Sequence, residues 1–257
     1  MRVDEQSYTN KELMICVAAR LFENGTTALI GTGIPMLAAM LAIKTSAPDL
    51  MAMFEFGSLG STLERLPLAV AEARTFHRAV AVMGLAEAME ASQRGFVDYG
   101  FLGGAQIDMY GNLNSTVIGA YDDPTARLPG SGGANDIGTS CWKTVAIMDH
   151  ALRRFVPQVD FITTPGYLRG PGAREEAGLP AGTGPVNVVS TLGLMDYEPV
   201  TCRMRLVATH PGVTVAEVLE NTGFELLVAE GVEVNQPPTT DELRILREEI
   251  DPGRLYI

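Results

Sequence analysis

The sequence predicts an α/β fold, a mainly parallel sheet flanked by helices, and three observations carry the prediction. A stretch with helical spacing gives way at once to a short apolar run, a glycine turn and a second helix. Further short apolar runs bounded by glycine and proline follow, the pattern of interior strands covered on both faces. The 257 residues are 46% apolar, enough for a sizeable core, and residues 1–257 are read as a single domain.

Asn10 is placed as the cap of a first helix, "KELMICVAARLFENG", in which Leu13, Met14, Val17, Ala18 and Leu21 share a face and Gly25 is the stop. "TTALIGTGIPMLAAMLAIKT" then reads as a strand at 26–30, a turn at 31–33 and a helix with Pro35 in its first turn. "PDLMAMFEFG" is the next interior strand, which sets Glu55 near its carboxyl end. A helical patch around "GLAEAMEASQRG" precedes "VDYGFLGGAQID", a short strand that runs into a glycine pair. After a glycine-dense stretch, "KTVAIMDH" and "VDFITTPG" read as two more strands. Residues 168–185 read as a long flexible surface excursion. "GPVNVVSTLGLMDYEP" and "VTCRMRLVATHPG" suggest antiparallel strands near the C-terminus. "TTDELRILREEIDPG" is a last helix, capped by Thr239 or Thr240, with apolar residues at 243, 246 and 250.

Thirty-one acidic against nineteen basic residues give a net charge of −12, which disfavours nucleic acid and anionic membrane as partners. No apolar stretch approaches the length of a membrane span, and the charged N-terminus lacks the pattern of a leader, so a cytoplasmic location is expected. Cys16, Cys141 and Cys202 are odd in number and lack ligand spacing; they read as reduced thiols, with no metal site indicated.

Several stretches have chemistry within reach. "GSGGAND", residues 130–136, can aim several backbone N–H groups at one anionic oxygen, or be a plain turn. "GTG" at 31–33 precedes a helix but lacks a dinucleotide fingerprint or a P-loop lysine, and is read as a tight turn. His77, His150 and His210 read as surface or satisfied histidines, and Ser58, Ser61 and Ser131 lie outside any nucleophile elbow. Glu55 stands inside an apolar run, where an unpaired charge is expensive to bury. It is either a strand-edge residue in water, a helix-cap partner, or a carboxylate desolvated into a better nucleophile or base. The local pattern leaves these open.

The motifs taken together are more informative. "YTNKE" (8–12), "GTGIP" (31–35), "APDL" (47–50), "FEFGSLG" (54–60), "GGAQIDMYGNLNST" (103–116), "GSGGAND" (130–136), "RRFVPQVDFITTPGYLRGPGAREEAGLP" (153–180) and "EEIDPG" (248–253) run in order along the whole chain. They resemble the B subunit of glutaconate CoA-transferase and its relatives among the class I CoA-transferases. The resemblance implies a CoA-transferase-like α/β fold and an A-subunit partner of separate sequence, commonly as an A2B2 assembly. It implies a coenzyme A thioester and a carboxylic acid as substrates, with no permanently bound cofactor. It places the nucleophile at Glu55, oxyanion-stabilising backbone groups at Gly132, Gly133 and Ala134, and pocket positions at Phe56 and Gly57. Relatives of this fold also hydrolyse or decarboxylate acyl-CoAs, and a non-catalytic CoA-binding subunit is a third reading; an intact glutamate and glycine loop favour transfer. The "FENG" run at 22–25 is similar to the Glu-Asn-Gly site of other branches, yet it falls at the end of the first helix, so Glu23 is expected to be solvated. One departure concerns the residue after the nucleophile. The glutaconate enzymes have Ser-Gly there, whereas this chain has Phe56-Gly57, and the large ring leads to the expectation of a bulkier or more apolar acyl group.

Overall fold

The computed structural model describes residues 7–257. Its first half holds α1 (Asn10–Ala19), β1 (Thr27–Ile30), α2 (Ile34–Lys44), β2 (Met51–Met53), β3 (Ser58–Leu59), β4 (Ala81–Val82), α3 (Leu85–Gln93) and β5 (Tyr99–Leu102). Four short strands follow, β6 (Gln106–Ile107), β7 (Leu113–Asn114), β8 (Val117–Gly119) and β9 (Pro124–Arg127), paired as two small antiparallel ribbons. Then come α4 (Ala134–Ser140), β10 (Lys143–Met148), α5 (Ala173–Glu176), β11 (Gly184–Ser190), β12 (Gly193–Tyr197), β13 (Met204–Thr209), α6 (Val215–Glu220), β14 (Leu227–Val234) and α7 (Thr240–Arg244). The last helix continues as a π-helical turn over Ile245–Ile250.

Ten strands form one sheet in the order β14-β13-β12-β11-β10-β5-β1-β2-β3-β4. The five from β11 to β2 are mutually parallel, and β12 and β3 run antiparallel to their neighbours on either side. Both faces are covered, and the pleat sorts consecutive residues between them. Ala28, Ile30, Ala52, Phe54, Val145 and Ile147 pack with α1, α2 and the C-terminal helix. Leu29, Met53, Ala146 and Met148 pack on the other side, with Met89 of α3, Ile137 of α4 and Val218 of α6. The same alternation turns position 55 toward the face of α3 and α4.

Several expectations are corrected. The cap of α1 is Thr9 rather than Asn10: its Oγ1 accepts from Glu12 N at 3.1 Å, and Glu12 Oε2 accepts from Thr9 N at 2.8 Å, a reciprocal capping box. The helix stops at Ala19, well before Gly25, because the chain turns where Arg20 reaches across to Glu242, 2.6 Å away. Glu12 has a second task. It is 2% exposed and forms a buried ion pair with Arg247, Nε to Oε1 at 2.6 Å, which ties α1 to the C-terminal helix. Burial pushes the Glu12 carboxyl up, but hydrogen bonds from Arg247 and Thr9 outweigh it and hold the group below its ordinary value.

"VDFITTPG" is no strand. Its hydroxyls are used as tethers: Thr163 Oγ1 accepts from Ser115 N at 2.9 Å and Thr164 Oγ1 donates to Ala134 O at 3.1 Å, with a single bridge from Thr164 to Leu113. The excursion at 168–185 is anchored rather than loose. Arg174 is 3% exposed and donates to Gly166 O at 2.8 Å, to Gly138 O at 3.1 Å and to Thr183 Oγ1 at 2.7 Å. The antiparallel strands near the C-terminus are present as β11, β12 and β13, and β14 is added parallel to β13 at the sheet edge. Among the described residues, no helix is long and apolar enough to cross a membrane.

Candidate active site

Strand β1 lies between β2 and β5, so the chain departs to one side of it and returns on the other. At such a switch point the loops leaving the carboxyl ends diverge and leave a crevice. A cleft of about 530 Å³ opens there, lined among others by residues 29–32 at the end of β1, Glu55 after β2, residues 102–105 at the end of β5, and residues 128–134 leading into the glycine loop. The glycine pair 103–104 and the "GTG" turn thus belong to the cleft wall.

Glu55 is presented by a tight turn. Phe54 is fully buried, Gly57 N donates to Phe54 O at 2.8 Å, and Glu55 and Phe56 are the two residues at the bend. Gly57 has φ +100°, and its O accepts from Met83 N at 2.9 Å. A Cβ on Gly57 would stand 1.9 Å from Met83 O, so glycine is required by both conformation and space. The Glu55 carboxylate is half-buried and accepts from Gly133 N through Oε2 at 3.1 Å. A Cβ on Gly133 would come within 2.7 Å of that oxygen, so the missing side chain is what lets backbone and carboxylate approach.

The three loop positions singled out in the sequence are used differently. Gly133 N–H holds Glu55, while Ala134 N–H donates within the loop to Ser131 O at 2.9 Å. Gly132, at φ +48°, has an N–H with no hydrogen-bond partner among the described residues. The loop is pinned from behind: Gly130 N donates to Ser115 O at 2.9 Å, and Ser115 Oγ donates to Gly130 O at 3.0 Å. The "DMYGN" part of the same motif is a latch. Asn112 Oδ1 accepts from Gly166 N and Leu168 N, and Asn112 Nδ2 donates to Asp108 at 2.9 Å.

Phe56 and Gly57 do not line the cleft. The Phe56 ring is 41% exposed, because the turn carries it away from the sheet while Gly57 packs against Met83. Glu23 lies at the opposite end of the sheet. It accepts from Tyr99 Oη and from Lys143 Nζ at 2.8 Å, and these residues begin β5 and β10. It is therefore paired rather than merely solvated, and the Lys143 hydrogen bond holds its carboxyl below the usual range.

The remaining candidates sit elsewhere. His150 is buried between Ser190 Oγ and Thr222 Oγ1, and His210 between Ser190 O and Asn235; burial pushes both imidazoles down to about 4. His77 is exposed beside Glu64. The three cysteines are unpaired, and burial pushes the Cys16 and Cys141 thiols up to about 12. No cluster of three or more His, Cys, Asp or Glu able to hold a metal occurs among the described residues. Several cleft residues were not singled out in the sequence, and one of these is charged. Arg154, from the turn after β10, lines the cleft with Glu55. It falls in the quoted run 153–180 but nothing there marks it as a site residue, since the packing of that turn against the 103–105 loop is what brings it to the cleft.

The sequence matches the model of the Coenzyme A transferase family over residues 11–221. It is 39% identical to the B subunit of glutaconate CoA-transferase from Acidaminococcus fermentans over 260 residues, 99% of this chain and 97% of that protein. It is 39% identical to the B subunit of 3-oxoadipate CoA-transferase from Pseudomonas knackmussii over 242 residues, 94% of this chain and 93% of that protein. The crystal structure of glutaconate coenzyme A-transferase from Acidaminococcus fermentans superposes with a TM-score of 0.92 at 36% identity, covering 99% of both chains. The chain belongs to the Coenzyme A transferase family, as a CoA-transferase B subunit of the glutaconate CoA-transferase type.

Proposed function

We propose that this chain, joined to an A subunit, moves CoA from an acyl-CoA to a carboxylic acid through covalent intermediates on Glu55. The observation that carries the reading is the Glu55 carboxylate at a strand's carboxyl end, held by Gly133 N–H at 3.1 Å inside the cleft. Glu55 attacks the thioester carbonyl; the C–O bond forms, the C–S bond breaks, and CoA leaves as thiolate. That thiolate attacks the glutamyl carbonyl of the anhydride, giving a glutamyl-CoA thioester and releasing the first acid as carboxylate. The incoming carboxylate repeats the two steps in reverse order, so that Glu55 is regenerated and a new acyl-CoA departs. A carboxylate suits the role because it is both nucleophile and competent leaving group.

The glycine loop supports the charge that develops on the thioester oxygen. The unpartnered Gly132 N–H is the donor best placed to take it, and Gly133 N–H is available once Glu55 has bonded to carbon. Ala134, whose N–H is committed to Ser131 O, acts by shaping the loop. The A subunit, in an A2B2 assembly, is the proposed partner. The relatives are B subunits, and Val80, Val82 and Leu85 leave apolar surface exposed on and beside the β4 edge, next to the exposed Phe56. Coenzyme A enters as substrate rather than as a resident cofactor, and the reading places the complex in the cytoplasm.

Initial rates of the co-expressed complex test the scheme. With acyl-CoA and acceptor acid both varied, parallel double-reciprocal lines are expected, since the first acid leaves before the second binds. Intersecting lines, or acyl-CoA consumption that needs no acceptor acid, would overturn it.

A further inference from the structure

We propose that Tyr256, seated by Asp251, is a positioning residue for the cleft: its ring holds the "GTG" turn at residues 31–33 and, through that turn, sets Thr32 against the substrate. The proposal rests on the reading of the cleft as the place where Glu55 acts. Thr32 lines that cleft with Glu55, and neither its N–H nor its hydroxyl has a hydrogen-bond partner among the described residues. Two polar groups of one wall residue are thus left for the acyl-CoA.

The turn is restrained on both sides of Thr32. On one side Gly31 N donates to Phe101 O at 2.9 Å, and a Cβ on Gly31 would stand 2.9 Å from that same oxygen, so the end of β1 lies close against β5. On the other side Gly33 is the N-cap of α2, with φ +87° and no capping side chain. A glycine there admits the conformation but does not hold it, since glycine has the widest choice of backbone angles and a capping side chain is what usually fixes this position. The restraint comes from elsewhere in the chain. Cε1 of Tyr256 is 3.5 Å from the place a Cβ on Gly33 would take, and beyond the glycine's own neighbours no other described residue comes within 4 Å of it.

Asp251 brings Tyr256 there. It is 1% exposed; its Oδ1 accepts from Leu255 N at 2.8 Å, and its Oδ2 accepts from Tyr256 N at 2.8 Å and from Ile257 N at 3.3 Å. With Arg254 at φ +48° and its N–H donating to Asp251 O at 2.9 Å, the chain curls back around the carboxylate. Asp251 follows the π-helical turn, whose Ile245, Leu246 and Ile250 share a core with Met36, Leu37 and Met40 of α2. At the far end of that helix Lys44 Nζ donates to Glu249 Oε2 at 2.9 Å. Residues 245–257 therefore grip α2 at both ends, about 16 Å apart for its 11 residues, and the contact at the cleft end is the ring of Tyr256. The Tyr256 hydroxyl has no hydrogen-bond partner among the described residues, so the ring and not the phenol holds the turn.

The test uses the co-expressed complex. Tyr256→Ala is expected to lower kcat about 10-fold and to raise KM for the acyl-CoA about threefold, because a wall residue displaced by about 1 Å spoils alignment without removing a reacting group. Tyr256→Phe should stay within about twofold of wild type in both. Asp251→Ala should give the same kinetic losses, and Asp251→Ala/Tyr256→Ala no more than Tyr256→Ala alone, since one residue acts through the other. Hydrogen exchange reads the turn itself: peptides covering residues 30–37 should lose protection at the Gly31 and Met36 amides in Tyr256→Ala and keep it in Tyr256→Phe. Tyr256→Leu, which keeps apolar cover but not the reach of the ring, takes the place of the alanine variant if that one does not fold. Wild-type kinetics in Tyr256→Ala, a loss in Tyr256→Phe as large as in Tyr256→Ala, or losses that multiply in the double variant would each overturn the proposal. Glu55→Gln is run beside them: activity retained there removes the reading on which the proposal rests, whereas an inactive Glu55→Gln beside a fully active Tyr256→Ala removes this proposal alone.

Discussion

Replacing Glu55 with glutamine is expected to lower CoA transfer by about 10⁴-fold or more, at least about 5 kcal/mol of transition-state stabilisation, with the fold intact. Glutamine keeps the length of the side chain and a carbonyl oxygen able to accept from Gly133 N–H, the contact seen at 3.1 Å. It removes only the nucleophile, because an amide oxygen does not form an anhydride that a thiolate can reopen. Unchanged thermal unfolding and unchanged assembly with the A subunit would show that the loss is chemical. Steady-state kcat/KM with a saturating acceptor acid is the readout, and a variant that keeps more than a few per cent of wild-type activity contradicts the nucleophile assignment.

Gly57→Ala is expected to have the next largest effect, and for a reason that no contact of a present side chain reveals. The new methyl would meet Met83 O at 1.9 Å and Met83 C at 2.6 Å, both backbone, at φ +100°. Moving Gly57 aside breaks the hydrogen bond from Met83 N to its O and opens the turn that carries Glu55. The expected cost is about 3 kcal/mol of stability, together with a fall of about 100-fold in kcat from misplacement of the carboxylate. Gly178→Ala is the control, since it shares a positive φ of +76° but has nothing within 4 Å of its Cβ position. It should show backbone strain alone, about 1 kcal/mol. Equal denaturation midpoints for the two variants would mean that the Met83 clash does not matter.

The parts of this fold that local chemistry determines were readable in the chain, and the parts that assembly determines were not. Strands β1, β2 and β10 follow from short apolar runs that both faces of the sheet must bury. The Thr9 cap lies one residue before the expected Asn10, and the Glu12 that closes its box also pairs with Arg247, a partner 235 positions away that no local reading supplies. "VDFITTPG" has the β-branched composition of a strand, yet Thr163 spends its hydroxyl on Ser115 N and Thr164 its own on Ala134 O instead of a ladder. Strand β14 was hidden because as an edge strand it carries Glu230 and Glu233 and contains Gly231 at φ +77°. At the site, Glu55 and the glycine loop were legible as motifs, but that Gly133, 78 positions on, reaches Oε2 is a product of topology. Arg154 falls inside the quoted 153–180 run, yet that it lines the cleft with Glu55 is a product of packing.

The central claim is a covalent bond on Glu55. The wild-type complex is incubated with acyl-CoA in the absence of acceptor acid, quenched rapidly, digested and weighed by mass spectrometry. The peptide that contains Glu55 should carry the mass of CoA less one water, should lose it when an acceptor acid is added before quenching, and should be unmodified in Glu55→Ala. Turnover of acyl-CoA with that peptide unmodified, retained by Glu55→Ala, would contradict the account.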